Sequence, residues 1–223
     1  MKLGTSIMQT PEVLTSENIY RGRVFDVAAD TVREGDLVYR RDVVRHPGSA
    51  AIVAVFDDRT VALVRQYRHP ATRYLSEIPA GSRATEAEPP EECAARELEE
   101  ELGVTAAKLE KLTEFFVSPG FCAEKMWIYL ATNLTETQQR LEEDEQLEIE
   151  RMPFEHALRM VAAGEIEDAK TIIGLLLAAK HLSSSPLDGE GSWVDEFGAN
   201  QCASHASHSA PKGKAGNKLT ASS

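Results

Sequence analysis

The chain has 223 residues, and its 36 Asp and Glu outnumber its 24 Lys and Arg, which gives a formal net charge of −12. Proteins that bind nucleic acids without sequence preference rely on Lys and Arg to neutralise phosphates, so this charge argues against a nucleic-acid partner. No apolar run approaches the ~18–20 residues that cross a bilayer, so we expect no membrane segment. Three widely spaced cysteines, Cys93, Cys122 and Cys202, argue against disulfides or a zinc site and favour a cytoplasmic location.

The N-terminal part of the chain predicts a small antiparallel sheet. We expect residues 1–17 to be flexible. In residues 18–48, valines alternate with polar residues, and Gly35-Asp36 between two such runs is typical of a hairpin turn. Because these strands contain few large apolar side chains, we expect the sheet to pack against another surface.

Residues 49–182 predict one domain of mixed strands and helices. Two nearly continuous apolar runs, residues 50–56 and 60–64, are typical of strands that are buried on both faces. A helix is predicted from about Pro89 to Leu102, because prolines suit its first turn and Gly103 can end it. Further strands are predicted at residues 115–117, 126–131 and 147–152, and further helices at residues 154–163 and 169–182.

This order of elements is typical of an α+β or α/β sandwich. Residues 183–223 form a tail whose composition shifts to Ser, Gly, Ala and Lys, and we expect disorder from about residue 198.

Three glutamates of the predicted helix, Glu97, Glu100 and Glu101, have the spacing i, i+3 and i+4 and therefore share one helix face. Like charges at this spacing repel, so the face either points into solvent or binds a cation. Carboxylate oxygens are ligands that Mg²⁺ and Mn²⁺ prefer, and these ions also bridge to substrate phosphates. We expect Arg96 to pair with Glu88 or Glu100 and to hold the start of the helix.

The residues around these acids resemble the Nudix box, the signature of hydrolases that cleave nucleoside diphosphates linked to another group. The matching residues are Gly81, Glu88, Arg96-Glu97-Leu98, Glu100-Glu101, Gly103 and Val104. The general pattern has five residues between its glycine and first glutamate, whereas this chain has six, so the departure lies in the loop before the helix. The resemblance implies a Nudix fold, an α/β/α sandwich of the α+β class, with an additional N-terminal antiparallel β-sheet subdomain.

Motifs outside the box resemble the ADP-ribose pyrophosphatase branch of the family. They are Gln66-Tyr67-Arg68-His69, Glu77-Ile78-Pro79-Ala80-Gly81, and Ser118-Pro119-Gly120-Phe121 followed by Glu124. This resemblance implies Mg²⁺-dependent hydrolysis of ADP-ribose to AMP and ribose 5-phosphate, with Mn²⁺ as a possible substitute. In that branch the N-terminal strands pack across a homodimer, so residues 18–48 are expected to form a dimerisation subdomain.

The resemblance assigns metal binding to Glu97 and Glu101, with Glu100 close by and the main-chain carbonyl of Ala80 as a further ligand. Glu100 is also a candidate catalytic residue. The implied reaction is direct attack of a metal-activated water on one phosphorus, without a covalent intermediate. The remaining box residues, Gly81, Glu88, Arg96 and Gly103, have structural roles.

A general base is expected on a loop after the box, and the matching segment contains Glu143 and Glu145. The resemblance implies that one of them is the base and that the other, Glu145 in particular, helps to hold a metal. Position alone leaves both assignments open. A solvated acidic loop is the alternative interpretation.

The substrate is expected to contact residues from several segments. Arg68 resembles the arginine that meets the diphosphate and terminal ribose, and Arg41 resembles one that reaches the adenosine side from across the dimer. Glu124 is a candidate hydrogen-bond acceptor, and Gly120 and Phe121 belong to the same candidate substrate-binding loop. Guanidinium groups suit phosphate oxygens, although each arginine could instead form a surface ion pair.

Two other functions remain open at this stage. The residues of the Nudix box recognise only the diphosphate. The substrate could therefore be another nucleoside diphosphate sugar, such as GDP-mannose or ADP-glucose. Alternatively, the chain could be a Nudix module that binds ADP-ribose without cleaving it. The complete set of Glu97, Glu100 and Glu101 favours an enzyme.

Overall fold

The structure, a computed structural model, describes residues 10–141 and 146–184. The predicted C-terminal tail, residues 183–223, lies outside the described residues from residue 185 onward. None of the described helices is long and apolar enough to span a membrane. The strands and α-helices are β1 (Glu12–Arg21), β2 (Asp26–Glu34), β3 (Leu37–Arg45), β4 (Ser49–Val55), β5 (Thr60–Arg68), β6 (Arg73–Glu77), β7 (Ala80–Ser82), α1 (Pro90–Leu102), β8 (Val104–Phe116), β9 (Lys125–Glu136), β10 (Leu147–Pro153), α2 (Phe154–Ala163) and α3 (Ala169–Ser184).

A mixed sheet forms the centre of the protein. Its strands follow the order β10-β5-β4-β9-β8, and the short strands β6 and β7 pair with β5 and β4. The pairing of β4 with β9 is parallel, and β5 pairs with β4, β6 and β10 in antiparallel fashion. The strand β4 is therefore central, and every one of its residues is buried.

Side chains of β4 point alternately to the two faces of the sheet, because successive residues of a strand face opposite sides. On one face they join a core with α2 and α3, through Ala51, Val53 and Val55. On the other face they join a core with α1, through Ala50, Ile52 and Ala54. Two cores on opposite faces of one sheet confirm the predicted α/β/α sandwich.

The ends of α1 follow from its sequence. Pro89 is the N-cap and Pro90 occupies the first turn, where a missing N–H leaves no hydrogen bond unmade. Gly103 ends the helix with φ of 63°, in the left-handed region that glycine adopts without steric cost. Because Ala94, Leu98 and Leu102 are buried, the apolar stripe faces the sheet and fixes the direction in which the glutamates point.

The N-terminal sheet has the order β1-β2-β3, and the hairpin at Gly35-Asp36 is confirmed. The prediction that residues 1–17 are flexible is wrong from residue 12 onward, since β1 begins at Glu12. Backbone pairing with β2 holds β1, while nearly all of its side chains are exposed, so no hydrophobic alternation marks its beginning. The sheet joins the sandwich where Val44 exchanges backbone hydrogen bonds with Phe121 and Ala123, at 2.8 and 2.9 Å.

Helix α3 offers a direct test of the core that it covers. Leu175 is fully buried, whereas its neighbour Leu176 is 52% exposed. We predict that Leu175→Ala lowers the free energy of unfolding by ~2–5 kcal/mol, through lost transfer energy and a residual cavity. The matched variant Leu176→Ala should cost less than ~1 kcal/mol. Urea unfolding at one protein concentration measures both, and equal losses would contradict this description of the core.

Candidate active site

A cavity of about 1060 Å³ lies between the N-terminal sheet and the second half of α1. Its wall combines the turn after β1, the segment after β3, strand β7 and the exposed edge of α1. Of the residues that the sequence predicts for the site, the cavity brings together Arg68, Ala80, Gly81, Arg96, Glu97 and Glu100.

Two carboxylates of α1 are buried beside this cavity. Glu97 is 6% exposed and Glu101 is 4% exposed. The backbone N–H of Ala80 donates to Oε2 of Glu101 at 3.2 Å, which ties β7 to the helix. At Gly81 any Cβ would overlap the Glu97 carboxylate, so only glycine lets the backbone of β7 pass this close to the acid.

Arg96 holds the acids of this region together. Its guanidinium donates to Glu97 at 2.6 Å and to Glu100 at 3.0 Å, and it lies 3.4 Å from Glu88. It also donates to the main-chain oxygen of Ser82 at 3.1 Å. Burial lowers the pKa of Arg96. The charge of Glu97 and the hydrogen bonds to Glu97 and Glu100 outweigh this effect, so the pKa of Arg96 rises above its usual value. The guanidinium is therefore a permanent cation, and it pairs with Glu97 as well as with both predicted partners.

Arg68 enters the cavity from the end of β5. Its Nε and Nη2 donate to the two carboxylate oxygens of Glu77, at 2.8 and 2.7 Å. This hydrogen bonding to Glu77 raises the pKa of Arg68, and the charge of Glu101 adds to the effect, which places the guanidinium within electrostatic range of the acids on α1. The part played by Glu77 was missed by sequence reasoning, although the residue stands in one of the motifs that pointed to the site.

Other predicted residues lie elsewhere in this chain. Arg41, Gly120 and Phe121 line a separate surface hollow of about 430 Å³, where Arg41 sits 4.2 Å from the ring centre of Tyr39. Glu124 accepts a hydrogen bond from Ser49 at 2.7 Å, behind His46 in the wall of the main cavity. Within one chain, Arg41, Gly120 and Phe121 therefore lie on a different surface from Arg68.

Glu143 and Glu145, the two candidates for the general base, lie outside the described residues.

Comparison with known proteins decides the family. A family model for the NUDIX domain matches residues 45–173, which is more than half of the chain. The chain belongs to the Nudix family. Its fold agrees with this assignment, since a solved structure of an ADP compounds hydrolase superposes with a TM-score of 0.65 at 26% identity, over 78% of this chain and 95% of that one.

Three similar members of the Nudix family are pyrophosphatases that act on nucleotide sugars. An ADP-ribose pyrophosphatase of Bacillus subtilis is 40% identical over 72% of this chain and 88% of its own length. An ADP-ribose pyrophosphatase of Mycobacterium tuberculosis is 37% identical over 82% of this chain and 91% of its own length. A GDP-mannose pyrophosphatase of Yersinia pestis is 34% identical over 73% of this chain and 85% of its own length.

The loop of the Nudix box that carries the extra residue is closed by Arg83. Its Nε donates to the main-chain oxygen of Glu88 at 2.6 Å, its Nη1 donates to that of Pro47 at 2.8 Å, and its Nη2 reaches that of Glu86. The guanidinium also lies 5.1 Å from the ring centre of Trp127. One side chain thus binds two carbonyls at the end of the enlarged loop and ties the loop to Pro47, in the segment after β3. No sequence pattern signalled this role.

The last glycine of the Nudix box has a second function besides ending α1. After β9 the chain runs along the C-terminus of α1, where the backbone N–H groups of Thr137 and Arg140 and the side chain of Gln139 donate to helix carbonyls at 2.6–3.0 Å. A Cβ on Gly103 would lie 2.7 Å from the backbone nitrogen of Gln139. A side chain there would therefore push this segment away from the helix.

The donor set of α1 fits a hard divalent cation. Hydrolases of the Nudix family generally need such an ion. Within residues 10–141 and 146–184, no three His, Cys, Asp or Glu side chains form a complete metal site. Glu97 and Glu101 would supply two carboxylates and Ala80 a main-chain oxygen, and Mg²⁺ commonly completes such partial sets with waters and substrate phosphates.

We predict that Arg96→Met lowers the free energy of unfolding by ~1–3 kcal/mol without divalent ions, because three acids lose their common partner. The control is Arg140→Met. This substitution removes one exposed ion pair, in which the Arg140 guanidinium lies 2.8 Å from the carboxylate of Glu99 on α1. It should cost less than ~1 kcal/mol. Added Mg²⁺ should restore more stability to the Arg96 variant than to the control. Urea unfolding with and without Mg²⁺ measures this, and identical behaviour of the two variants would contradict it.

Proposed function

We propose that this protein hydrolyses ADP-ribose to AMP and ribose 5-phosphate, with Mg²⁺ as its metal and Mn²⁺ as a substitute. The observation that carries the proposal is that Glu97 and Glu100 of α1 and the guanidinium of Arg68 line one cavity, with Glu101 buried beside it. Two relatives that are 40% and 37% identical to this chain over the aligned residues are ADP-ribose pyrophosphatases.

Each group in the cavity has a definite task in this reaction. Arg68 binds oxygens of the diphosphate. Glu97, Glu101 and the carbonyl of Ala80 would hold the divalent ion, with Glu100 as a further ligand or catalytic residue. A divalent ion bound there lowers the pKa of water and neutralises charge on the phosphoryl oxygens. Water adds to one phosphorus, the bond from that phosphorus to the bridging oxygen breaks, and the two phosphate monoesters leave without a covalent intermediate.

One of the two acids Glu143 and Glu145 is proposed as the general base. The other helps to hold a metal, and Glu145 is the favoured candidate for that second role. The flanks of this segment support the assignment. On one side, the backbone N–H of Arg140 donates to the carbonyl of Glu100 at 3.0 Å. On the other side, Leu147 pairs with Gln66, which lines the cavity. The short acidic segment thus starts at the C-terminal part of α1 and ends at β5, the two elements that contribute Glu100 and Arg68 to the proposed site.

The active form is proposed to be a homodimer in which residues 18–48 form the dimerisation subdomain and residues 49–182 the Nudix domain. Large apolar side chains on the N-terminal sheet and its turns are more than half exposed: Val13, Ile19, Tyr20, Val24, Leu37 and Val38. Exposed apolar surface of this kind marks interaction sites. In the dimer, the hollow with Arg41, Gly120 and Phe121 would face the adenosine side of the partner's substrate, with Glu124 nearby.

Two alternatives differ from this proposal in substrate and in chemistry. The relative that is a GDP-mannose pyrophosphatase favours another nucleoside diphosphate sugar as the rival substrate. A non-catalytic ADP-ribose-binding module is disfavoured by the complete acids of the box, Glu97, Glu100 and Glu101. The cytoplasm remains the proposed location, on the argument from the cysteines.

We predict that the purified protein with Mg²⁺ cleaves ADP-ribose with a kcat/KM at least ~10-fold above that for GDP-mannose or ADP-glucose, because a site built for one sugar and base loses contacts with others. Chromatography of the products should give AMP and ribose 5-phosphate in equal amounts. Chelation of the metal should stop the reaction. A clear preference for a GDP-sugar would overturn the choice of substrate, and absence of turnover with all three compounds would overturn the enzymatic proposal.

A further inference from the structure

A chain of buried charges lies behind the proposed diphosphate site. Glu77 ends β6 and is 1% exposed. Burial raises the pKa of Glu77, but hydrogen bonds and charge from Arg68 and Lys170 outweigh this effect and bring the pKa below its usual value. Glu77 is therefore an anion at neutral pH, and it accepts hydrogen bonds from Arg68 on one side and from Lys170 on the other.

The far end of this chain of charges is fixed to the first turn of α3. Lys170 donates to Asp168 at 3.1 Å. Asp168 accepts from the backbone N–H of Thr171 at 2.9 Å and from its hydroxyl at 2.5 Å, as a helix-capping side chain does. The Thr171 hydroxyl in turn accepts the backbone N–H of Ile78 at 2.8 Å. The segment that begins at Glu77 is thus connected to α3 through Lys170 and through Thr171.

The cost of this arrangement indicates that it does more than stabilise the fold. Charged groups lose hydration when they are buried, and a buried ion pair often contributes no more stability than apolar residues of similar volume. The side chains of Glu77 and Lys170 are only 2% and 12% exposed. Arg68, at 39%, is the member of the network that reaches the cavity. The consequence of the network is therefore the fixed orientation of one exposed guanidinium.

The pair with Glu77 uses the Nε side of the guanidinium. A guanidinium has five N–H donors, and the two bonds to Glu77 occupy two of them. In the described part of the chain, the remaining donors make no other hydrogen bond that would turn them away from the cavity. Two parallel bonds fix the plane of the group, so the free edge presents its donors in one direction.

We propose that Glu77 and Lys170 are positioning residues that orient Arg68 for the diphosphate of the substrate, with Asp168 and Thr171 anchoring Lys170 to α3. The inference rests on the proposed function, because it takes the diphosphate as the ligand of Arg68. Neither Glu77 nor Lys170 touches the substrate, and both act through the guanidinium.

The test compares Lys170→Met with Lys170→Arg, and uses Lys180→Met as the control, since Lys180 is an exposed lysine on the same helix. We expect Lys170→Met to raise the KM for ADP-ribose and the Kd for inorganic pyrophosphate with Mg²⁺ by about 10-fold, while kcat changes less than ~2-fold, because a contact shared by ground and transition states is weakened. Lys170→Arg should largely restore both constants. Lys180→Met should leave them unchanged.

A double variant separates positioning from general stability. If Lys170 acts through Arg68, Lys170→Met should have no further effect on KM in the Arg68→Met background, since coupled residues are not additive. A lysine with only a structural role would lower the melting temperature and leave KM unchanged in both backgrounds. If Lys170→Met does not fold, Glu77→Gln carries the same test, because it keeps the shape of the side chain and removes its charge.

The outcomes separate this inference from the proposed function. A wild-type protein that binds pyrophosphate but cleaves no ADP-ribose would overturn the proposed function alone. The Kd for pyrophosphate would then decide the positioning role, which a rise of about 10-fold in Lys170→Met supports and an unchanged value overturns. A wild-type protein that cleaves ADP-ribose, with an unchanged KM and Kd in both Lys170→Met and Glu77→Gln, would overturn the positioning role alone.

Discussion

Two carboxylates buried on one face of α1, those of Glu97 and Glu101, constrain most of what surrounds them. A buried carboxylate loses hydration, and the loss must be offset by hydrogen bonds, by a cation or by a metal. The structure offers all three kinds of partner: the backbone of Ala80 donates to Glu101, Arg96 pairs with Glu97, and the cavity beside them can admit a divalent ion. The helix remains in this position because its opposite face packs in the core with β4.

The requirements of these acids explain the residues of the Nudix box in physical terms. Gly81 is needed because the Glu97 carboxylate occupies the space of a Cβ. Arg96 is needed because it partners Glu88, Glu97 and Glu100 together. Gly103 is needed for its positive φ and because the segment around Gln139 passes within van der Waals distance of it. The negative charge of the chain is concentrated at the same place, since residues 86–101 contain eight acids and one base.

Local patterns in the sequence predicted the parts of the fold that depend on local forces. The helix α1 carries a 3.6-residue apolar stripe, prolines at its start and glycine at its end, so its bounds and its acidic face were predictable. Strand β1 was missed before residue 18 because its side chains are exposed and only backbone pairing defines it. The partnership of Glu77 with Lys170 joins residues 93 positions apart, and no local pattern reports such a contact. For the same reason, the sequence did not reveal that Arg41 and Arg68 line different surfaces of one chain.

The most direct test of the account is Mn²⁺ binding by the Glu101→Gln protein, measured by electron paramagnetic resonance together with ADP-ribose turnover. The matched control is Glu99→Gln, because Glu99 lies on the same helix but pairs with Arg140 away from the cavity. Loss of a direct ligand should exceed the ~10–100-fold effect typical of residues that only support a metal ligand. We predict that Glu101→Gln remains folded but loses more than ~100-fold in Mn²⁺ affinity and in turnover. Glu99→Gln should keep both. Undiminished Mn²⁺ binding and turnover in Glu101→Gln would contradict the assignment of the metal to this helix.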